Sequence, residues 1–332
     1  MKVGIALPHY DFSYPDGRPA DLEATISFAQ RAEQLGYDSV WMSDHFFLDL
    51  ARYGGPSKRY ASLEAMTTLS ALAVETQRVR LGTLVLCEAF RHPPLLAKMA
   101  ATLDIVSGGR LDLGIGAGWY EDEYRAFGYD FAPVAERMER LRETVVILAG
   151  MLSQERFSFE GRYYRVEDAP NDPAPVQRPR PPVWVGGKGG PKLMRIVAEE
   201  ADGWNTVWRW TPEAYAERVD ELERACERAK RDPATVRRSL GLYTVVGSDH
   251  DDLAKRWART AERAPIDASG VAMEDFARDT LVGTTDDCIA RIKEFEALGV
   301  EHLVCSFGLV PFSVSDEEQV DLFAREVLPA VR

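Results

Sequence analysis

Asp44 and His45, which are adjacent in the chain, form the acid–base pair with the clearest catalytic potential. An imidazole titrates near neutral pH, and a neighbouring carboxylate can tune it for proton transfer. The same pair also occurs as a purely structural hydrogen-bonded pair, so its place in the fold decides between the two interpretations. At the carboxyl end of a barrel strand, where active sites form, catalysis is favoured.

A glycine-rich stretch after the apolar residues 111–115 is a second candidate site. It consists of Gly116, Ala117, Gly118 and Trp119. Glycines at the end of a strand let the backbone approach a ligand closely. A tightly packed barrel strand also needs small residues for steric reasons, so the pattern by itself is compatible with both interpretations.

A further glycine-rich segment lies between a predicted strand and a predicted helix. It consists of Gly186, Gly187, Lys188, Gly189 and Gly190. Backbone N–H groups and one cation before a helix are what a phosphate or carboxylate group needs. The segment lacks the Walker pattern, and a flexible turn is the alternative interpretation.

The composition of the chain argues against several classes of partner. Its 332 residues carry a formal net charge of −13 without a basic stripe, which is unfavourable for binding nucleic acid or an anionic membrane. The four cysteines are scattered with no C-x-x-C pair and no histidine cluster, which favours neither disulfides nor a metal site. The sequence has no signal peptide pattern and no membrane-spanning run, so we expect a soluble, cytoplasmic protein.

Strand and helix patterns alternate along the whole chain. Eight strands with intervening helices predict a (β/α)8 TIM barrel with insertions, in a single domain over residues 1–332. An open doubly wound sheet is less favoured, because the glycine run is not followed, about 20 positions on, by an acidic residue at the end of a next strand. The predicted strands cover residues 3–7, 39–41, 79–86, 111–115, 182–185, 203–205, 239–246 and 303–306.

Three segments are longer than ordinary barrel loops and are expected to be functional: 46–61, 153–181 and 257–282. Residues 157–166 alternate around Glu160 and Gly161 and predict a β-hairpin. The predicted helix over residues 62–75 is apolar almost all round, so its outer face needs a partner. A homodimer is the simplest partner, and coverage by residues 46–61 is the alternative.

Taken together, these residues resemble the luciferase-like monooxygenase superfamily, and within it the deazaflavin-dependent oxidoreductases that use coenzyme F420. The resemblance covers nearly the whole chain, with the motifs in the family's order and spacing. They are residues 43–46, 80–85, 91–93, 97–104, 107–119, 159–161 with Tyr164, and 201–205. The F420 assignment depends mainly on residues 116–120 followed by Glu123, because relatives that use flavin mononucleotide (FMN) share most of the other motifs.

The resemblance implies a barrel that binds F420, with FMN as the alternative, at the carboxyl ends of its strands. A non-proline cis peptide at Leu84–Val85 would support the ring from behind, and His45 would be the acid or base. The phosphate would lie near residues 186–189. The implied cofactor contacts are Asp44, Leu84, Val85, Cys87, Gly116, Ala117, Gly118, Trp119, Gly186, Gly187, Lys188 and Gly189.

Two departures from the family pattern argue against a sugar phosphate as substrate. Relatives that oxidise sugar phosphates carry a glutamate directly after the glycine run, where this chain has Trp119. They also carry a tryptophan shortly after the histidine, where this chain has residues 46–49, Phe-Phe-Leu-Asp. We therefore expect hydride transfer to or from a bulkier organic molecule.

Two other functions remain open at the level of sequence. An FMN-dependent monooxygenase that uses O2 would need a lid to exclude water, for which residues 257–282 are the candidate. A non-catalytic flavin-binding protein is less favoured, because it would not need Asp44 and His45 at a strand end.

Overall fold

The computed structural model describes residues 1–332. Eight parallel strands alternate with helices along the chain, and their order is that of a (β/α)8 barrel, which confirms the predicted fold class. The strands are β1 (Lys2–Ala6), β2 (Ser39–Met42), β3 (Phe47–Asp49), β4 (Arg59–Ala61), β5 (Arg80–Thr83), β6 (Leu86–Cys87), β7 (Leu111–Gly116), β8 (Arg156–Glu160), β9 (Arg165–Pro170), β10 (Val183–Gly186), β11 (Gly203–Trp208), β12 (Arg237–Gly247), β13 (Leu281–Thr284) and β14 (His302–Ser306).

The helices follow the strands in the alternation that the sequence predicts. They are α1 (Leu22–Leu35), α2 (Ala65–Glu75), α3 (Pro93–Val106), α4 (Glu121–Ala126), α5 (Val134–Ser153), α6 (Pro191–Glu200), α7 (Pro212–Ala229), α8 (His250–Arg263), α9 (Met273–Ala277), α10 (Thr285–Ala297), α11 (Glu317–Leu322) and α12 (Leu328–Val331).

Local sequence explains where the helices begin and end. The Asp21 side chain accepts a hydrogen bond from the backbone of Glu23, and α1 ends at Gly36, whose φ of 91° is in the left-handed region. At α10 the side chains of Thr284 and Asp287 each bond the other residue's backbone N–H. Together these two bonds form a capping box.

The chain divides into two compact units, each with its own share of the strands. Unit 1 consists of Met1–Glu64, Thr206–Val219 and Arg238–Arg332, and unit 2 of Ala65–Asn205 and Asp220–Arg237. That residues 1–332 form a single domain stays a prediction.

In unit 1, strands β12, β14, β1 and β2 pair in parallel in that order, and β13 pairs with β12. Residues 257–282, one of the three segments that exceed an ordinary barrel loop, contain the end of α8, all of α9 and the start of β13. Phe276 lies 5.7 Å from Tyr243 and 5.5 Å from Trp257 between ring centroids. These aromatic side chains pack the segment into a core of unit 1.

In unit 2, strands β5, β7, β10 and β11 pair in parallel. The predicted hairpin is present as β8 and β9, and helix α5 holds it in place. The carboxylate of Glu143 accepts hydrogen bonds from the backbone N–H groups of residues 162–164 at 2.7–3.0 Å. Gly150 leaves room for the ring of Phe157, since a Cβ there would lie 2.0 Å from that ring.

Helix α2 differs from its prediction in two respects. It begins at Ala65, three residues later than expected, and its buried face includes Met66 and Leu69. Its outward positions include Thr67 and Ser70 as well as Val74, so the outer face is more polar than the sequence pattern suggested.

Candidate active site

In unit 1, Asp44 and His45 follow the carboxyl end of β2, the position at which we expected a catalytic pair. Asp44 is buried with 4% of its surface exposed, and His45 is half-buried. Ser43, which precedes them, is also buried and bonds His9 and Tyr10. Unit 1 therefore brings a carboxylate, two imidazoles and two hydroxyl groups to the ends of the paired strands β1 and β2.

A row of aromatic side chains continues from this cluster within unit 1. Phe312 lies 4.9 Å from His9 and 5.3 Å from Trp208, edge to face in both cases, and Trp208 stacks on Tyr243 at 5.3 Å. Trp208, half-buried, has a φ of 93°, which is rare for a residue with a side chain. Stacking on Tyr243 and contact with Phe312 hold this ring in place.

In unit 2, the third barrel strand is interrupted between β5 and β6. Gly82 pairs with Asp112 and Leu86 with Ile115, so four steps along one strand match three along the other. The extra residue makes a β-bulge. The Thr83 hydroxyl spans the gap, because it bonds both the carbonyl and the N–H of Gly114 at 2.7 Å. The Leu84–Val85 peptide within the bulge is cis, as the resemblance implied.

The Val85 side chain fills space that three glycines leave open. A Cβ at Gly114, Gly116 or Gly186 would lie 2.6–2.9 Å from a Val85 methyl carbon, closer than side chains pack. A Cβ at Gly114 would also lie 2.1 Å from the Thr83 carbonyl oxygen. The backbones of three strand ends thus approach one another around a single valine, which needs glycine at each position.

Cys87 and Tyr124 fix the segment that contains Gly118. The Cys87 sulfur lies 3.0 Å from the Tyr124 hydroxyl, and both groups occupy the place of a Gly118 side chain, whose Cβ would be 1.9 Å from that hydroxyl. Gly118 has a φ of 70°. Burial raises the pKa of Tyr124, so the hydroxyl stays protonated. Trp119 beyond it is 41% exposed and stacks on Tyr120.

Hydrogen bonds to the first half of β11 hold the loop of residues 186–190 in place. The N–H of Gly187 donates to the Asn205 carbonyl at 3.0 Å, and the Trp204 indole donates to the Gly187 carbonyl at 2.9 Å. Helix α6 begins directly after the loop without a side-chain cap, and Lys188 is exposed. That this loop binds a phosphate at the helix N-terminus stays a prediction.

A buried carboxyl group lies beside Cys87 in unit 2. Glu88 is 1% exposed, its Oε2 accepts a long 3.5 Å hydrogen bond from Tyr164, and its Oε1 has no hydrogen-bond partner. Burial raises the pKa of Glu88 to about 7, although Arg140 and Arg137 oppose this shift. The carboxyl group therefore changes charge near neutral pH.

The predicted residues fall into two groups, each brought together within one unit. Asp44 and His45 lie in unit 1, whereas Leu84, Val85, Cys87, residues 116–119 and residues 186–189 lie in unit 2. Sequence reasoning missed Tyr124, Thr83 and the links of Ser43 to His9 and Tyr10. Only the acidic first turn of α4 pointed to the helix that carries Tyr124.

The structure contains no group of three His, Cys, Asp or Glu side chains arranged to hold a metal ion. All four cysteines are buried, and none of them forms a disulfide bond. Among the helices, none combines the length and apolar character needed to cross a membrane.

A family model described as luciferase-like monooxygenase matches residues 1–302. An Intrasporangium calvum protein named F420-dependent glucose-6-phosphate dehydrogenase is 32% identical over 331 residues, covering 92% of this chain and 94% of that protein. An FMNH2-dependent dimethylsulfone monooxygenase of Pseudomonas putida is 25% identical, covering 94% of this chain and 88% of that protein. The solved structure of monooxygenase RslO1 from Streptomyces bottropensis superposes with a TM-score of 0.79, 27% identity and complete coverage of both chains. The chain belongs to the luciferase-like monooxygenase family.

Proposed function

We propose that this protein is an F420-dependent oxidoreductase that transfers a hydride between the deazaflavin and a bulky organic substrate. The observation that carries the proposal is the 32% identity, over nearly the full length of both chains, to a relative named F420-dependent. Membership of the luciferase-like family is consistent with a flavin or deazaflavin at the strand ends.

The strand ends of unit 2 fit a flat ring with a phosphate tail. Val85, which is partly exposed, would offer an apolar surface behind the ring, and glycines at positions 116 and 186 let the neighbouring strand ends pack closely around it. The loop of residues 186–190 would hold the phosphate through its N–H groups and Lys188. When bound, F420 would supply a ring carbon that gives or takes the hydride.

His45 would give or take the substrate proton, and Asp44 would contact the cofactor. The pair's place at the end of β2 supports this assignment, because the active sites of such barrels form at the carboxyl ends of the strands. The substrate class follows from Trp119, an exposed aromatic ring where relatives that oxidise sugar phosphates carry an acid.

The second candidate function is that of an FMN-dependent monooxygenase, which the 25% identity to the dimethylsulfone enzyme supports. Titration with F420 and with FMN, followed by absorbance, separates the two. We expect tighter binding of F420, and re-oxidation of reduced F420 by 2-cyclohexen-1-one, an uncharged organic acceptor, without O2. Glucose 6-phosphate with oxidised F420 is the comparison substrate, with little turnover expected. Preference for FMN together with a requirement for O2 would overturn the proposal.

We also propose a homodimer formed through the helices that follow the second and third barrel strands. Val74 of α2 and Leu95 of α3 are large apolar side chains that are 61% and 56% exposed. Large exposed apolar side chains mark interaction surfaces when they cluster. Light scattering at micromolar concentration should give twice the 37.1 kDa chain mass, and a monomer that persists at high concentration would contradict the proposal.

A further inference from the structure

Three buried side chains of unit 1 are joined by hydrogen bonds next to the Asp44–His45 pair. The Ser43 hydroxyl lies 2.9 Å from Nε2 of His9 and 2.5 Å from the Tyr10 hydroxyl. His9, Tyr10 and Ser43 are each at most 3% exposed. Buried polar groups of this kind are costly unless each has a partner, so the arrangement is strongly specified.

The direction of every proton in this chain of hydrogen bonds is fixed. Nδ1 of His9 lies 2.7 Å from the Leu7 carbonyl oxygen, which can only accept, so Nδ1 carries the proton. In the neutral ring Nε2 then accepts, and the Ser43 hydroxyl donates to it. The single proton of Ser43 is used in this bond, so the Tyr10 hydroxyl donates to Ser43.

The donors and acceptors in these hydrogen bonds do not exchange roles at physiological pH, because His9 remains neutral. Burial lowers the pKa of His9 to about 3, with a further contribution from His45, while the bond to Leu7 opposes the shift. The titratable side chains that act on His9 or belong to its hydrogen-bond network are thus His45 and Tyr10. The backbone around it is also fastened, since Ser13 bonds the Tyr10 N–H and the Phe312 carbonyl.

We propose that Ser43, held by His9 and Tyr10, is a positioning residue for His45. Ser43 is two residues before His45, and its side chain is anchored on the β1 end of unit 1, so the anchor fixes where the backbone leaves β2. The inference rests on the proposed proton transfer by His45. It adds a one-directional Tyr10–Ser43–His9 relay that no general feature of a barrel requires.

The first test uses the protein without cofactor. The chain has five histidines, so nitrogen-15 histidine spectra are simple, and the His9→Gln and His45→Ala variants assign two of the signals by their loss. We expect His9 as the neutral Nδ1–H form from pH 5 to pH 9, and a changed His45 titration in Ser43→Ala. A His9 ring that protonates near pH 6.5, or a His45 signal that Ser43→Ala leaves unchanged, would overturn the proposal.

The second test measures turnover of reduced F420 with 2-cyclohexen-1-one. Ser43→Ala and His9→Leu should lower kcat by about 10- to 100-fold, the range for a misplaced catalytic group, with KM changed by less than about threefold. His9→Gln, whose amide oxygen can accept from Ser43, should recover most of the loss. In the His45→Ala background, Ser43→Ala should have little further effect, since both changes act through the same group.

The outcomes separate this inference from the proposed function. Full kcat in Ser43→Ala, together with a loss in His45→Ala, would overturn only the positioning role. Full kcat in His45→Ala would overturn the proton transfer by His45 itself. If Ser43→Ala does not fold, Tyr10→Phe removes a single hydroxyl and should give a smaller loss in the same direction, and an unchanged kcat there would count against the relay.

Discussion

The two units provide their candidate residues in opposite ways. In unit 1 the candidate groups are side chains, Asp44 and His45, and a hydrogen-bonded network of Ser43, His9 and Tyr10 lies next to them in the chain or at the end of the paired strand. In unit 2 the strand ends are shaped by the removal of side chains, with glycines packed around Val85. A network of side chains fixes where protons lie. Backbone without side chains instead provides a close-packed surface and N–H donors, which a planar, phosphorylated ligand needs.

The difference also predicts how each unit responds to substitution. A change at His45 or Ser43 in unit 1 should alter the chemical step while the fold and ligand binding persist. A change at a glycine of unit 2 should alter folding and cofactor affinity together, because the same close packing supports both.

The largest effect is expected for His45→Ala. Loss of one general acid or base lowers turnover by about 10²–10⁴. Cofactor affinity should stay within a few-fold of the original protein, since the unit 2 residues remain unchanged. Steady-state kinetics and cofactor titration of both proteins measure turnover and affinity separately. Equal turnover in the two proteins would leave His45 with a packing role only.

The second largest effect is expected for Gly118→Ala, which should lower both the stability of the fold and the affinity for the cofactor. The left-handed φ costs about 1–2 kcal/mol for alanine, and the clash with Tyr124 adds about 1–3 kcal/mol of overpacking. Gly128→Ala is the matched control, because Gly128 has a similar φ of 76° but nothing within 4 Å of its Cβ position. Denaturant unfolding of the two variants should differ by the clash alone.

Adding Tyr124→Phe to Gly118→Ala should recover part of the lost stability, since it removes the oxygen nearest the new methyl group. If the two alanine variants are equally stable, Tyr124 does not limit the space at Gly118, and the proposed fixing of this segment is incorrect.

Glu88 is a buried titratable side chain of unit 2 whose Oε1 has no hydrogen-bond partner, and Glu88→Gln removes its charge. The folded carboxyl, with its pKa raised to about 7, binds its proton more tightly than in the unfolded chain. Stability therefore falls as pH rises from about 4.5 to 7, by up to about 3 kcal/mol, and Glu88→Gln should remove that fall.

Thermal unfolding between pH 4.5 and pH 8 tests this expectation. Glu88→Gln should match the original protein at the acidic end and exceed its Tm at pH 8, whereas Glu160→Gln, at an exposed site, should change neither. An equal Tm for Glu88→Gln and the original protein at pH 8 would mean that water or a partner solvates the carboxylate.

The smallest effect is expected for Lys188→Glu. Reversal of one exposed charge in the loop of residues 186–190 should weaken binding of phosphorylated cofactor by about five- to tenfold at low salt. The loss should shrink as salt is added. Lys293→Glu, an exposed reversal on α10, is the control for net charge. Unchanged affinity at low salt would place the phosphate elsewhere on the barrel.

Sequence patterns predicted the barrel strands and most helices because apolar periodicity and caps are local properties. Thr284 and Asp287 are three residues apart, so their capping box is visible in the sequence. The apolar pattern gives no sign of the break in the third strand, since apolar residues continue through Leu84 and Val85. Only the family resemblance pointed to it.

The contacts that fix the candidate residues are long-range in sequence. Cys87 and Tyr124 are 37 residues apart, and His9 and Ser43 are 34 apart. A pattern of residue types does not encode which of these side chains meet, because tertiary packing decides it. Sequence therefore located Ser43 and Cys87 at strand ends, but it did not reveal their partners.

The bonds from Glu143 to the tip of the β8–β9 hairpin bear on the order of local opening. Three amide protons of a surface turn are shielded by a carboxylate that belongs to helix α5. In amide hydrogen exchange these protons should behave as part of the helix, with exchange limited by opening of α5 and not by fraying of the hairpin. The hairpin is thus a cooperative extension of a helix that precedes it in the chain, and it gains its protection only after that helix has formed.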